Sequence, residues 1–163
     1  MTGTADIGCT AVYAAEEVAF GGTDLDEELP LAALFAAAGQ LTAGEWWRSS
    51  GGPAVTVTAA RMDARSSAAR AAGGTGAHVS ITLAHGQGTL ATVAHELAHA
   101  LVGVRHGHDA TFRAAHVDVV ALLAGADAAD RLAAAYRELG VPTGGRQWPP
   151  PVRMVGHGFV VVP

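Results

Sequence analysis

The segment "AHELAHALVGVRHGHDATF", Ala94 to Phe112, holds four of the chain's eight histidines. His95 and His99 flank Glu96 in the spacing H-E-x-x-H, and His106 and His108 follow. Two histidines four residues apart on a helix project from one face, one turn apart. That is how a helix offers two imidazoles to a single cation. A catalytic Zn2+ takes three protein ligands and keeps a fourth position for water, so His95 and His99 supply two of the three. Glu96 follows His95 by one residue and lies about 100° further round the helix. Its carboxylate then stands beside the cation rather than on it, placed to take a proton from water and pass it to a leaving group. The pattern points to metal-assisted hydrolysis with Glu96 as general base.

A third ligand must come from the chain beyond that helix. The layout H-E-x-x-H-x-x-G-x-x-H would need glycine at 102 and histidine at 105. The chain has Val102 and Arg105, with Gly103 and His106 each one residue late and no methionine turn nearby. The alternative is "HDATF", His108 to Phe112. Asp109 there suits the N-cap of a following helix, His108 faces back to the cation, and Phe112 packs beneath the site. His106 stays open as a third ligand or as a loop group facing substrate. With His116, Arg105 and Tyr136 it is also a candidate donor to the charge that develops in the transition state. Asp118 is a candidate to orient a ligand imidazole. The plainer expectations are a hydrogen-bonded helix histidine at 116, a solvated carboxylate at 118, and surface histidines at 78 and 85.

These residues need elements to hold them. The spacing predicts a helix over about Leu90 to Val102, stopped near Gly103, with Val93, Leu97, Ala98 and Leu101 burying it around the motif. A second helix runs from Asp109 to about Ala124, and "DAADRLAAAYRELG" forms a third, closed by Gly140. Upstream, one helix runs from Thr10, as N-cap, to Phe20, and another from Leu25 or Pro30 to Ala43. Trp46 and Trp47 precede a turn at "SSGGP". "AVTVTAA" (Ala54 to Ala60) and "HVSITLA" (His78 to Ala84) alternate and are rich in β-branched residues, so both read as strands. The polar "RMDARSSAARAAGGTG" between them reads as a loop or irregular crossing. The expected class is α+β, a small sheet packed on several helices. The 163 residues suit one domain over 1–140, followed by a Pro/Gly-rich C-terminal tail over 141–163. That tail could add an edge strand or lie in the groove and restrain activity.

Half of the residues are hydrophobic and many of these are alanine, which favours close helix packing. The net charge is −5 and lysine is absent. Seven carboxylates and no arginine lie between Glu16 and Glu45. A nucleic-acid surface would be a basic patch, so neither nucleic acid nor a membrane surface is an expected partner. Cys9, the single cysteine, rules out an internal disulfide or a cysteine-rich zinc site and reads as a small buried hydrophobe. The start "MTGTADIGCTAVYAAEE" lacks the basic and apolar regions of a secretory signal, and no apolar run reaches the roughly 20 residues of a membrane helix. The expected location is cytoplasmic, and the oligomeric state is left open.

"HELAH" followed closely by "HDATF" resembles the short zincins of the SprT and WLM type. In those, H-E-x-x-H is followed by a short loop and an H-D/G-x-x-F segment that opens the next helix. With "VYAAEE" near the start, then two strands and the two motif helices, the chain is also similar to a set of small actinobacterial metallohydrolases. The resemblance covers about Val55 to Leu123. It implies a zinc-dependent peptidase with a minimal gluzincin-like core, acting on a peptide or protein substrate. Position by position it makes His95 and His99 ligands, Glu96 the base and His108 the third ligand. It further suggests that "HVSITL" is an edge strand lying antiparallel to an extended substrate. DNA-repair members of that group carry basic surfaces or an added zinc-binding tail. The acidic front and the absent lysine and cysteine pair depart from them. Two other expectations compete: a zinc hydrolase of a small-molecule amide, and an inactive metal-stabilised binding module. Glu96 argues against the latter, because a structural zinc site closes its fourth position and needs no base.

Overall fold

A computed structural model describes residues 7–60, 67–71, 78–84, 88–155 and 158–161. His85 and His157 lie outside them, as does most of the expected loop between the two strands. The elements in order are α1 (Ile7–Phe20), α2 (Leu31–Ala43), α3 (Glu45–Ser49), β1 (Ala54–Ala59), β2 (Ser67–Ala71), β3 (His78–Leu83), α4 (Leu90–Val102), a 3-10 turn (Val104–His106), α5 (Ala110–Leu123), α6 (Ala126–Glu138), β4 (Val152–Val155) and β5 (Gly158–Val161). The class is α+β, a small sheet covered by helices.

Several boundaries differ from the sequence reading, each for a local reason. Thr10 is inside α1, which starts earlier, so it caps nothing. Pro30 is the N-cap of α2, where its fixed φ of −57° and missing N–H cost no helical hydrogen bond. The tryptophan pair sits on the short α3, and Trp47 is buried with its indole N–H donating to the Pro53 carbonyl at 2.8 Å.

The sheet order is β1-β3-β2. β1 runs parallel to β3, Val55 opposite Val79, and β2 runs antiparallel to it, Ala69 opposite Ser80. This corrects two expectations. Ser67–Ala71, read as loop, is a strand. β3 is therefore the central strand with both edges paired, so it cannot add an extended substrate as a further strand. Val79, Ile81 and Leu83 alternate into the core, against the helices.

α4 is held by Thr89, whose hydroxyl accepts from the Thr92 N–H, and it ends at Gly103, where φ is 92°. A left-handed φ of that kind favours glycine. α4 lies between the β2–β3 side of the sheet and α5. Ala94, Ala98, Ala115 and Ala121 are fully buried and let the helices approach closely. Leu97 and Phe112 are wholly enclosed, each contributing about 1.5–3 kcal/mol of burial. α6 packs against both α5 and α1, and Val12, Phe20, Leu132 and Tyr136 join the core there.

The chain after α6 is fastened to the helices. Gly144 N–H donates to the Ala110 carbonyl at 2.8 Å, Arg113 Nε donates to the Pro142 carbonyl at 3.1 Å, and Trp46 Nε1 donates to the Pro149 carbonyl at 2.8 Å. β4 and β5 pair with each other as a separate two-stranded sheet rather than adding an edge to the first. Among the described residues no helix is long and apolar enough to cross a membrane.

Candidate metal centre

α4 projects His95 and His99 from one face, one turn apart. The chain then reverses through Gly103 and Gly107, both at positive φ, and His108 returns to that face. Asp109 fixes this return. Its Oδ1 accepts the N–H groups of Thr111 and Phe112 at 2.8 and 2.9 Å, so α5 starts immediately after His108. Arg113 Nη1 donates to the His108 carbonyl at 2.7 Å and holds the same turn from below.

One ring nitrogen from each of His95, His99 and His108 lies within 4.8 Å of the other two. Their ring centroids form a nearly equilateral triangle with sides of 4.9, 5.1 and 4.9 Å. His95 Nε2 and His108 Nε2 are 3.1 Å apart. Two nitrogens bound tetrahedrally to one zinc sit about 3.3 Å apart, so this pair fits a shared ion within a few tenths of an ångström. Phe112 closes the floor, its ring 5.1, 4.3 and 4.9 Å from the three imidazoles. Three imidazoles over an apolar floor suit Zn2+ as a donor set.

Glu96 is also on α4, one residue round from His95, and is only 7% exposed. α1 supplies the opposite wall. Glu16 Oε1 lies 2.6 Å from His95 Nδ1. The Tyr13 ring stacks on His95 at 5.4 Å, 4° from parallel, and is 54% exposed, so it forms the solvent-facing side. Gly8 brings α1 against the third histidine. A Cβ at that position would stand 2.5 Å from the His108 carbonyl oxygen.

The other candidates fall elsewhere. His106 turns away from the cluster, its Nδ1 2.9 Å from Asp109 Oδ2, on the exposed side of the turn. Burial pushes the Asp109 carboxyl up, but the Phe112 N–H and His106 outweigh it and hold its pKa below the ordinary value. Arg105 is exposed on the 3-10 turn. His116 is fully buried behind His95, with Nδ1 2.8 Å from the Tyr136 hydroxyl, the hydrogen-bonded helix histidine of the plainer expectation. Burial first, then the charges that His95, His99 and His108 can carry, hold its pKa well below 6.5, so it is neutral. Tyr136 is enclosed too, and burial raises its phenol pKa far above 10. Neither His116 nor Tyr136 reaches the open side where a substrate would sit. His78 joins β3 to β1 through Thr56 Oγ1 at 3.1 Å.

Asp118 corrects both of its expected roles, because it neither orients an imidazole nor faces solvent. It is fully buried and receives Arg146 Nε at 2.7 Å, Arg146 Nη2 at 2.8 Å and Trp148 Nε1 at 2.8 Å. The hydrogen bond to Asp118 holds the Arg146 guanidinium above its ordinary pKa. The carboxylate beside a candidate ligand is Glu16. Nothing local in the sequence ties α1 to His95, which is 79 residues from Glu16.

No protein-family model, curated protein or solved structure matches this chain. A functional reading therefore rests on the residues of the site.

Proposed function

We propose that the protein is a zinc-dependent metallopeptidase of the short zincin type, hydrolysing peptide bonds in a peptide or protein substrate. The observation that carries this reading is the triangle of His95, His99 and His108, with the buried Glu96 adjoining it on α4. Zn2+ held by those imidazoles would acidify a water and polarise the scissile carbonyl. Glu96 takes the proton of the attacking water and delivers it to the leaving nitrogen. Phe112 excludes solvent from behind the imidazoles, and Tyr13 forms the wall on the open side. The outer edge of β2, the strand beside α4 and the 3-10 turn, supports an extended substrate, because among the described residues β2 pairs only with β3. Backbone groups on such an edge can pair with a peptide. A cytoplasmic setting is part of the same proposal and is checked by fractionation.

Metal analysis tests the site. Wild type and His106→Ala are expected to carry one zinc per chain, and His108→Ala to lose it; retention by His108→Ala would remove the third ligand from the scheme. Glu96→Gln is expected to keep its zinc and to lose about 10²–10⁴-fold of the hydrolysis rate on an unfolded protein or a peptide library. Undiminished hydrolysis would remove Glu96 as the base.

A further inference from the structure

We infer that Glu16 is a positioning residue that fixes the tautomer of His95, with the hydrogen-bonded His116–Tyr136 pair packed behind it. The inference deepens the metal-site reading and rests on it for its effect on zinc. An ionised carboxylate only accepts hydrogen bonds. At 2.6 Å, His95 therefore donates through Nδ1–H to Glu16 Oε1. With its proton there, His95 keeps its lone pair on Nε2, the atom 3.1 Å from His108 Nε2 and facing the cluster. The reversed tautomer would aim a proton at the cation position and a lone pair at the carboxylate.

The groups behind Glu16 select the same arrangement. His116 Nε2 lies 3.6 Å from the same Glu16 oxygen, and the Tyr136 hydroxyl lies 2.8 Å from His116 Nδ1. His116 is fully buried, so its one neutral-state proton has two places to be. On Nδ1 it would leave the Nε2 lone pair against a carboxylate oxygen, with no proton between two acceptors. On Nε2 it points at Glu16, and the Tyr136 O–H donates to Nδ1. The second arrangement alone turns a donor toward each acceptor: Tyr136 hydrogen-bonds Nδ1 at 2.8 Å, while Nε2–H faces Glu16 at 3.6 Å as an electrostatic contact longer than a hydrogen bond. The dipoles therefore align in one sense from Tyr136 on α6, through His116 on α5, toward Glu16 on α1, which accepts its hydrogen bond from His95 on α4. Glu16, His95 and His116 could instead gather a cation of their own; the Nδ1–H of His95 and the Nε2–H of His116 require protons in that place.

The test uses the full chain. Imidazole 1H–15N correlation spectra of the metal-free protein should show His95 protonated on Nδ1 and His116 on Nε2. A zinc titration against a competing chelator should show one equivalent bound. Glu16→Gln, which preserves size, should keep its circular dichroism and weaken zinc about 10–100-fold. Tyr136→Phe should release His116 to a mixture of tautomers and weaken zinc less than Glu16→Gln does. His95 protonated on Nε2 in wild type, wild-type affinity in folded Glu16→Gln, or a second zinc equivalent abolished by His116→Gln would each overturn the inference. If wild type binds no zinc, the peptidase reading fails, while the tautomer spectra still decide the Glu16–His95 assignment. Should Glu16→Gln not fold, the wild-type spectra decide alone.

Discussion

Glu16 on α1 and Asp118 on α5 are both turned into the helical layer, and α5 separates them. His116 and Asp118 are two residues apart on α5, about 200° round the helix, so one faces Glu16 while the other faces the chain after α6. Glu16 meets imidazoles, whose protons can move from one nitrogen to the other. Asp118 meets a guanidinium that stays charged at every working pH and an indole that only donates. The same carboxylate chemistry orients on one side and fastens on the other. The partner decides which: a bond to a group with two protonation sites carries information about where the proton is, and a bond to arginine carries none.

That contrast can be attacked first where the expected effect is largest. Arg146→Met leaves Asp118 buried without its cation and should cost about 3–5 kcal/mol in urea unfolding. Zinc affinity of the folded fraction should not change; a parallel loss of zinc would show that the two sides of α5 are coupled. Trp148→Phe removes one donor to the same charge and should cost about 1.5–3 kcal/mol, again without touching zinc. The smallest effect concerns pH. The folded chain holds the pKa of His116 well below 6.5, so the unfolded chain binds the extra proton first. Stability of the metal-free protein should therefore fall as pH drops below about 6.5, through the window down to the lowered folded value, and stay flat above it. Thermal melts from pH 7.5 to 5 check this, with His116→Gln expected to flatten the slope.

What could be read from the sequence was what depends on near neighbours. The helix bearing His95, Glu96 and His99 runs over the predicted Leu90 to Val102, because its period, Thr89 and Gly103 are all local. The return of His108 was legible through Asp109, whose capping bonds reach only two and three residues on. The two strands with alternating β-branched residues were legible for the same reason. β2 was not: serine, alanine and arginine have little preference for strands, and pairing with β3 makes them one. That omission also turned the central strand into a supposed edge. The roles of Glu16 and Asp118 were hidden because their partners lie 79 residues away in one case, and 28 and 30 in the other. Each carboxylate, taken with its near neighbours alone, resembles an ordinary surface group.

Gly8 gives the arrangement one more property. With no side chain between α1 and the backbone of His108, the first helix acts as a latch seated directly on the third histidine, while two turns further along it Glu16 grips the first. Lifting that latch would undo both attachments in a single event. Assembly of the centre is therefore expected to be all-or-none with respect to the docking of α1, rather than built up one histidine at a time.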